Sequence, residues 1–271
     1  MTEAESGKPL SALDRERLEG QHTFRRIVEL ELDPVQGVFD AAHLREINRR
    51  IFQDLPGLGF EDVTPGKYRP PVPAGNDWIK NRSLETVGAS SCVAYSPMDR
   101  ATRARLDTVL AGVDPAALAR LQPAEFIAAI AKLYGELDYV HPFSDGNSRT
   151  LRAFTKQLAT ASGFDLDWNR FNRSPAGRDI LYIARDITVN ELALPHLRDP
   201  GTKRHIIRTL DQFGSNRALP DLLRDAISPQ IAPPLAVPEP PGNRQPRPDA
   251  ETGIEAGGHP PLWPSIIDGN S

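Results

Sequence analysis

Residues 123–163 read PAEFIAAIAKLYGELDYVHPFSDGNSRTLRAFTKQLATASG, two helical patterns joined by a short turn-forming stretch. In the first, Phe126, Ile127, Ile130, Leu133, Tyr134, Leu137 and Val140 recur at helical spacing and make one wide apolar stripe. The second opens near Asn147, puts Leu151, Phe154 and Leu158 on one face, and has Gly163 where a helix stops. The chain around this pair reads as mainly α.

Working outward, Leu13, Leu18, Phe24, Ile27 and Leu30 give a helical stripe over 12–31. Asp40 is placed to cap a helix carrying Leu44, Ile47 and Ile51, with Phe39 packing across its start. A further helix spans 98–112, with Leu106, Val109 and Leu110. On the other side, Ser174-Pro175 is an N-cap followed by a first-turn proline, opening a helix through Ile180, Ile183 and Ile187 to about Leu192. Thr202 starts a last helix through Phe213. Residues 56–97 break the pattern: they are rich in Gly and Pro, and within them SLETVGASSCVAY (83–95) reads as a hairpin turning near Gly88.

Between Pro229 and Ser271 stand eleven of the 26 prolines and few large apolar residues, too few to offset the entropy of ordering. The expected organisation is a flexible 1–10, a domain over 11–215 and an extension over 216–271, Pro-rich and disordered from 229. With 39% hydrophobic and 25% charged residues the composition is that of a globular protein. The net charge of −4 argues against nucleic acid or membrane as partner, so any anion site is local. Cys92 is the single cysteine, and the N-terminus lacks an apolar core of signal-peptide length. The expectation is a cytoplasmic protein, with delivery into another cell as an effector left open.

The joining stretch, HPFSDGNSRTLR (141–152), carries the chemistry. The amides of Gly146, Asn147 and Ser148 fall at a helix N-terminus, where the dipole and free N–H groups bind phosphate, and Gly146 permits the backbone of an anion nest. Arg149 and Arg152 share a helix face in the first turns, a place that disfavours cations unless an anion sits there. Asp145 would oppose that anion, and a Mg²⁺ bridging it to phosphate oxygens removes the conflict. His141 is then the candidate general base, and Phe143 is a buried anchor for the loop. Each residue alone has an ordinary structural role, but their order between two helices favours nucleotide chemistry.

HPFSDGNSRTLR resembles the Fic motif, HPFx[D/E]GNGRxxR, and LYGELDYV resembles the helix leading into it. FDAAHLREINRRIFQDL looks like the family's upstream helix, PGKYRP is similar to its Gly-x-x-Arg turn, and ETVGASSCVAYSP sits where a β-hairpin flap is placed. The resemblance covers residues 10 to about 215. It implies a Fic-fold helical bundle with a short flap, and a protein adenylyltransferase passing AMP from ATP to a Tyr, Ser or Thr hydroxyl of a target protein. By position, His141 would deprotonate that hydroxyl, Asp145 would hold Mg²⁺, and Gly146, Asn147 and Ser148 would cradle phosphates. Arg149 and Arg152 would neutralise them, Arg152 near the γ-phosphate. The segment from about Ser83 to Tyr95, centred on Thr86, Val87, Gly88 and Ala89, would take the target backbone as an added strand.

Two departures qualify the likeness. Ser148 stands where the motif usually has Gly: at φ > 0 it would strain the nest, while at helical angles its hydroxyl could add a phosphate contact. The inhibitory pattern [S/T]xxxE[G/N], whose glutamate pairs with the second arginine, is met only by Glu19-Gly20, with Arg15 where Ser or Thr belongs. A surface glutamate with a separate small antitoxin protein is the favoured expectation, the chain then being a toxin–antitoxin component or a delivered effector. The alternatives are a Fic-like transferase of another nucleotide-derived group, including kinase-like phosphate transfer, or a catalytically silent interaction module.

Overall fold

A computed structural model of the chain describes residues 11–230. The expected flexible residues 1–10 and nearly all of the Pro-rich tail lie outside the described residues. The fold is mainly α. In chain order come α1 (Ala12–Leu32), α2 (Ala41–Phe52), β1 (Trp78–Leu84), β2 (Ala89–Tyr95), α3 (Arg100–Ala111), α4 (Pro115–Leu118), α5 (Pro123–Val140) and α6 (Asn147–Ala161). They are followed by β3 (Phe164–Leu166), α7 (Pro175–Ala193), α8 (Pro200–Phe213), α9 (Leu219–Arg224) and β4 (Ile227–Pro229).

Local chemistry sets the helix starts. Ser11, Asp40, Asp99, Ser174 and Asp199 each accept an amide of the first turn of α1, α2, α3, α7 and α8. Gly163, at φ 79°, ends the α6 segment as its sequence suggests. Phe39 packs across the start of α2, stacked on His43 and edge-on to Phe154. α5 is the hub: buried on most of its circumference, it packs against α3, α6, α7 and α9.

The ordered fold does not stop at 215. Leu219, Leu222 and Leu223 of α9 and Ile227 of β4 enter the main core with Phe126 and Ile130, and β4 pairs antiparallel with β3. A six-residue helix and two three-residue strands are too short to show a period in sequence, so the domain extends past the expected boundary without a periodic signal.

The hairpin begins earlier than SLETVGASSCVAY. Trp78 pairs with Tyr95 and Leu84 with Ala89, leaving Glu85–Gly88 as the turn, with Gly88 at φ 62°. β2 is tied to α7 by Asn190, whose amide accepts from Ala94 N and donates to Cys92 O. Along β1, half-buried Trp78, Lys80 and Arg82 alternate with exposed Ile79, Asn81 and Ser83. Among the described residues, no backbone group outside the hairpin pairs with the outer edge of β1.

Candidate active site

α5 ends at His141, which adopts the left-handed conformation (φ 47°, ψ 62°) and donates its N–H to Leu137 O. That conformation costs a non-glycine residue roughly 1–2 kcal/mol, so the surroundings must hold it. Arg69 does so. Its Nε donates to His141 O at 2.7 Å, its Nη2 to Ser96 O at 2.6 Å, and its own N–H to Pro142 O at 2.9 Å. The buried guanidinium lies over the Trp78 ring at 3.9 Å, and burial pulls its pKa down to about 9. Carbonyl dipoles and the indole face stand in for a counter-anion.

Gly146, at φ 71°, precedes α6 with no side chain capping that helix. The N–H groups of Asn147, Ser148 and Arg149 have no acceptor among the described residues. Asn147 clamps the loop instead: its Oδ1 accepts from Phe143 N and its Nδ2 donates to Phe143 O. A relay from Gly66 N to Asn48 Oδ1, and from Asn48 Nδ2 to Thr150 Oγ1, ties the α6 N-terminus to α2. Phe143 is buried. A Cβ at Gly146 would lie 1.8 Å from Phe52 Cζ. Gly146→Ala is therefore expected to cost about 1–3 kcal/mol from strain and clash together, read as a lowered urea midpoint, and to weaken ATP binding.

The His141 side chain is 6% exposed, its ring centroid 3.7 Å from that of Tyr95 and edge-on to Trp78 at 5.2 Å. Burial pushes its pKa down to about 3; Asp138 opposes this, while Lys80 and Arg82 add to it. The neutral ring is what a general base requires. Because the folded value lies below the unfolded one near 6.5, its stability contribution is complete above about pH 6.5 and is lost as pH falls toward 3. The expected result is a ¹⁵N spectrum of the free chain in which His141 stays neutral from pH 8 to 5. A ring that protonates near pH 6.5 would overturn it.

The remaining predicted residues separate. Asp145 is half-exposed at the mouth of the nest and accepts from Gly146 N at 2.6 Å. Arg149 turns toward α1, where Nη2 meets Glu19 Oε1 at 2.5 Å and Nη1 meets Thr23 Oγ1 at 3.1 Å, with the guanidinium over Phe52. Arg152 takes the other side of α6, 3.5 Å from Asn172 Oδ1 and near Trp168, and its buried Nε has no hydrogen-bond partner among the described residues. The glutamate thus meets the first arginine and not the second. The two positions are neighbours on α6, but their long side chains run to different partners, Arg149 to Glu19 and Thr23 of α1 and Arg152 toward Asn172 and Trp168. Ser148 is inside α6 with helical backbone, and its Oγ lies 3.3 Å from Arg185 Nη1, so the strained alternative does not apply.

The residues expected to dock a target form the hairpin turn and its closing pair. Thr86, Val87 and Gly88 form the hairpin turn, and Thr86 N and Oγ1 both donate to Asp179 Oδ2. Ala89 is paired to Leu84. None of the four offers a free strand edge; β1 does. The sequence by itself assigns no role at the site to Asn48, Lys80, Asp138 and Arg185, and it marks Arg69 only as the arginine of the Gly-x-x-Arg turn. A signal existed for two of them: Asn48 lies on the Leu44–Ile47–Ile51 stripe and Asp138 on the stripe of α5, polar residues at core positions.

This geometry defines a mainly helical protein with a glycine-led, uncapped turn between two packed helices and a covered, neutral histidine beside it. Residues 38–159 match the Fic/DOC family. Protein adenylyltransferase VbhT of Bartonella schoenbuchensis is 29% identical over 164 residues, 60% of this chain and 30% of that protein, so the likeness spans under a third of the relative's length. The N-terminal Fic domain of a VirB-translocated Bep effector protein from Bartonella quintana, with bound ADP, has the same fold at TM-score 0.52 and 20% identity, over 81% of this chain and 87% of that one. BepC from Bartonella tribocorum, with bound AMPPNP, gives TM-score 0.52 at 16% identity over 82% and 90%. Among the described residues no helix is long and apolar enough to cross a membrane.

Proposed function

We propose that the chain transfers AMP from ATP to a hydroxyl side chain of a target protein. The observation that carries this is a neutral histidine held beside the uncapped, glycine-led N-terminus of α6, with Arg149 and Arg152 on that helix. The protein adenylyltransferase name of its relative and the nucleotides in its fold neighbours support ATP as the substrate.

In this reading the free amides of 147–149 and the two arginines bind the polyphosphate. His141 takes the hydroxyl proton, the hydroxyl oxygen bonds to the α-phosphorus, the α–β bridging bond breaks, and pyrophosphate leaves. Mg²⁺ would neutralise phosphate charge. Asp145 would hold it: a half-exposed hard oxygen donor fits, and since no three metal-binding side chains gather among the described residues, phosphate and water would complete its shell. The target backbone would add along the free edge of β1.

Glu19 on Arg149 is read as a built-in brake, favoured here over a separate antitoxin because α1 already neutralises the arginine. Delivery into another cell as an effector belongs to the same proposal. The test is incubation with lysate, Mg²⁺ and ATP labelled at either the α- or the γ-phosphate. Protein-bound label from α alone is expected; label from γ alone would mean kinase-like transfer and sink the reading. Deleting residues 231–271 should leave transfer intact, whereas a silent module recruiting through its tail would lose its partner.

A further inference from the structure

A buried ion pair beneath the phosphate loop takes no part in the chemistry above. Arg185, in the middle of α7, is 1% exposed, and its Nε and Nη2 donate to the two carboxylate oxygens of Asp138 at 3.0 and 3.2 Å. Asp138, also 1% exposed, lies one turn before His141 on α5. Its Oδ1 is 3.6 Å from His141 Nδ1, and that buried nitrogen has no hydrogen-bond partner among the described residues. The third nitrogen of the same guanidinium, Nη1, lies 3.3 Å from Ser148 Oγ.

One guanidinium therefore touches both halves of the site. Through Asp138 it reaches the base, and through Ser148 it reaches the first turn of α6. A neutral imidazole carries its proton on one of two nitrogens, and a carboxylate facing Nδ1 favours Nδ1–H, leaving the Nε2 lone pair to accept a proton. Arg185 keeps that carboxylate ionised and fixes both of its oxygens. The departure from the usual glycine has a reason here too, since a glycine at 148 would offer Nη1 no hydroxyl.

We infer that Arg185 and Asp138 are a positioning pair that sets the tautomer and orientation of His141, and that Ser148 ties this pair to the phosphate loop. The inference rests on His141 acting as the base.

Removing one member alone would leave a buried charge and could unfold the chain, so the test is the double variant Asp138→Leu/Arg185→Met, which replaces the pair by apolar groups. Two readouts are taken on the full chain: the ¹⁵N tautomer signature of His141, assigned by its loss in His141→Asn, and kcat and KM for ATP in α-label transfer. In wild type the Nδ1–H tautomer should predominate. In the double variant it should give way to a mixture, with kcat down about 10- to 100-fold and KM changed less than about twofold. Ser148→Gly should lower kcat by about threefold to tenfold with the Nδ1–H form retained.

A folded double variant with unchanged tautomer and kcat overturns the inference, as does a wild type in the Nε2–H form; Ser148→Gly at wild-type kcat overturns the role of Ser148. If the wild type transfers no label, the function proposed above fails, and the tautomer of wild type and double variant decides the positioning pair alone.

Discussion

His141→Asn should lower transfer of α-labelled AMP about 10²- to 10⁴-fold, the range a positioned general base supplies. Asparagine is the informative substitution because residue 141 sits at φ 47°, where asparagine is tolerated better than alanine. It also separates chemistry from folding. The Arg69 contacts go to the backbone carbonyls of 141 and Pro142, so they survive the change. ATP affinity by calorimetry should stay within about twofold, because the phosphate-facing amides and arginines are untouched. A variant that melts like wild type and still transfers label within about tenfold of it would remove His141 as the base.

Glu19→Ala should act in the opposite direction. Arg149 Nη2 is 2.5 Å from Glu19 Oε1, so phosphate oxygens compete with a carboxylate already in place. Both side chains are partly exposed, 28% and 21%, and solvent screening limits the pair to about 1 kcal/mol. Displacing it should therefore change apparent ATP affinity by up to about fivefold. The expected result is KM for ATP lowered by about that factor, with a urea midpoint shifted by less than about 1 kcal/mol equivalent, since Thr23 still meets Arg149. Unchanged KM and kcat would show that Glu19 is only a surface partner of α1.

Much of the fold was legible because its signals are local. Seven apolar positions made α5 visible, and Asp40 and Ser174 marked helix starts by capping amides three residues away. The nest was legible for the same reason: Gly146, Asn147 and the helix they open are consecutive, and only glycine fits beneath Phe52 at φ 71°. The hairpin was placed by its turn but started too late, because Trp78–Ser83 reads as an irregular mixture until one face is known to cover the site. Thr86–Gly88, where docking was expected, are the turn itself, and strand propensity says nothing about which edge is left free.

What the chain by itself determined is the set of groups on the α5–loop–α6 unit and the helical frame carrying it, since caps, periods and a glycine-led turn act over a few residues. The tertiary structure decided what those groups do to one another. Glu19 reaches Arg149 across 130 residues, Arg69 braces His141 across 72, and Arg185 reaches Asp138 across 47. In sequence each is an ordinary charged residue on a helix or loop. Burial separates a buried ion pair from a solvated one and a neutral histidine from a titrating one, and burial follows from how α1, β1 and α7 pack around α5 and α6.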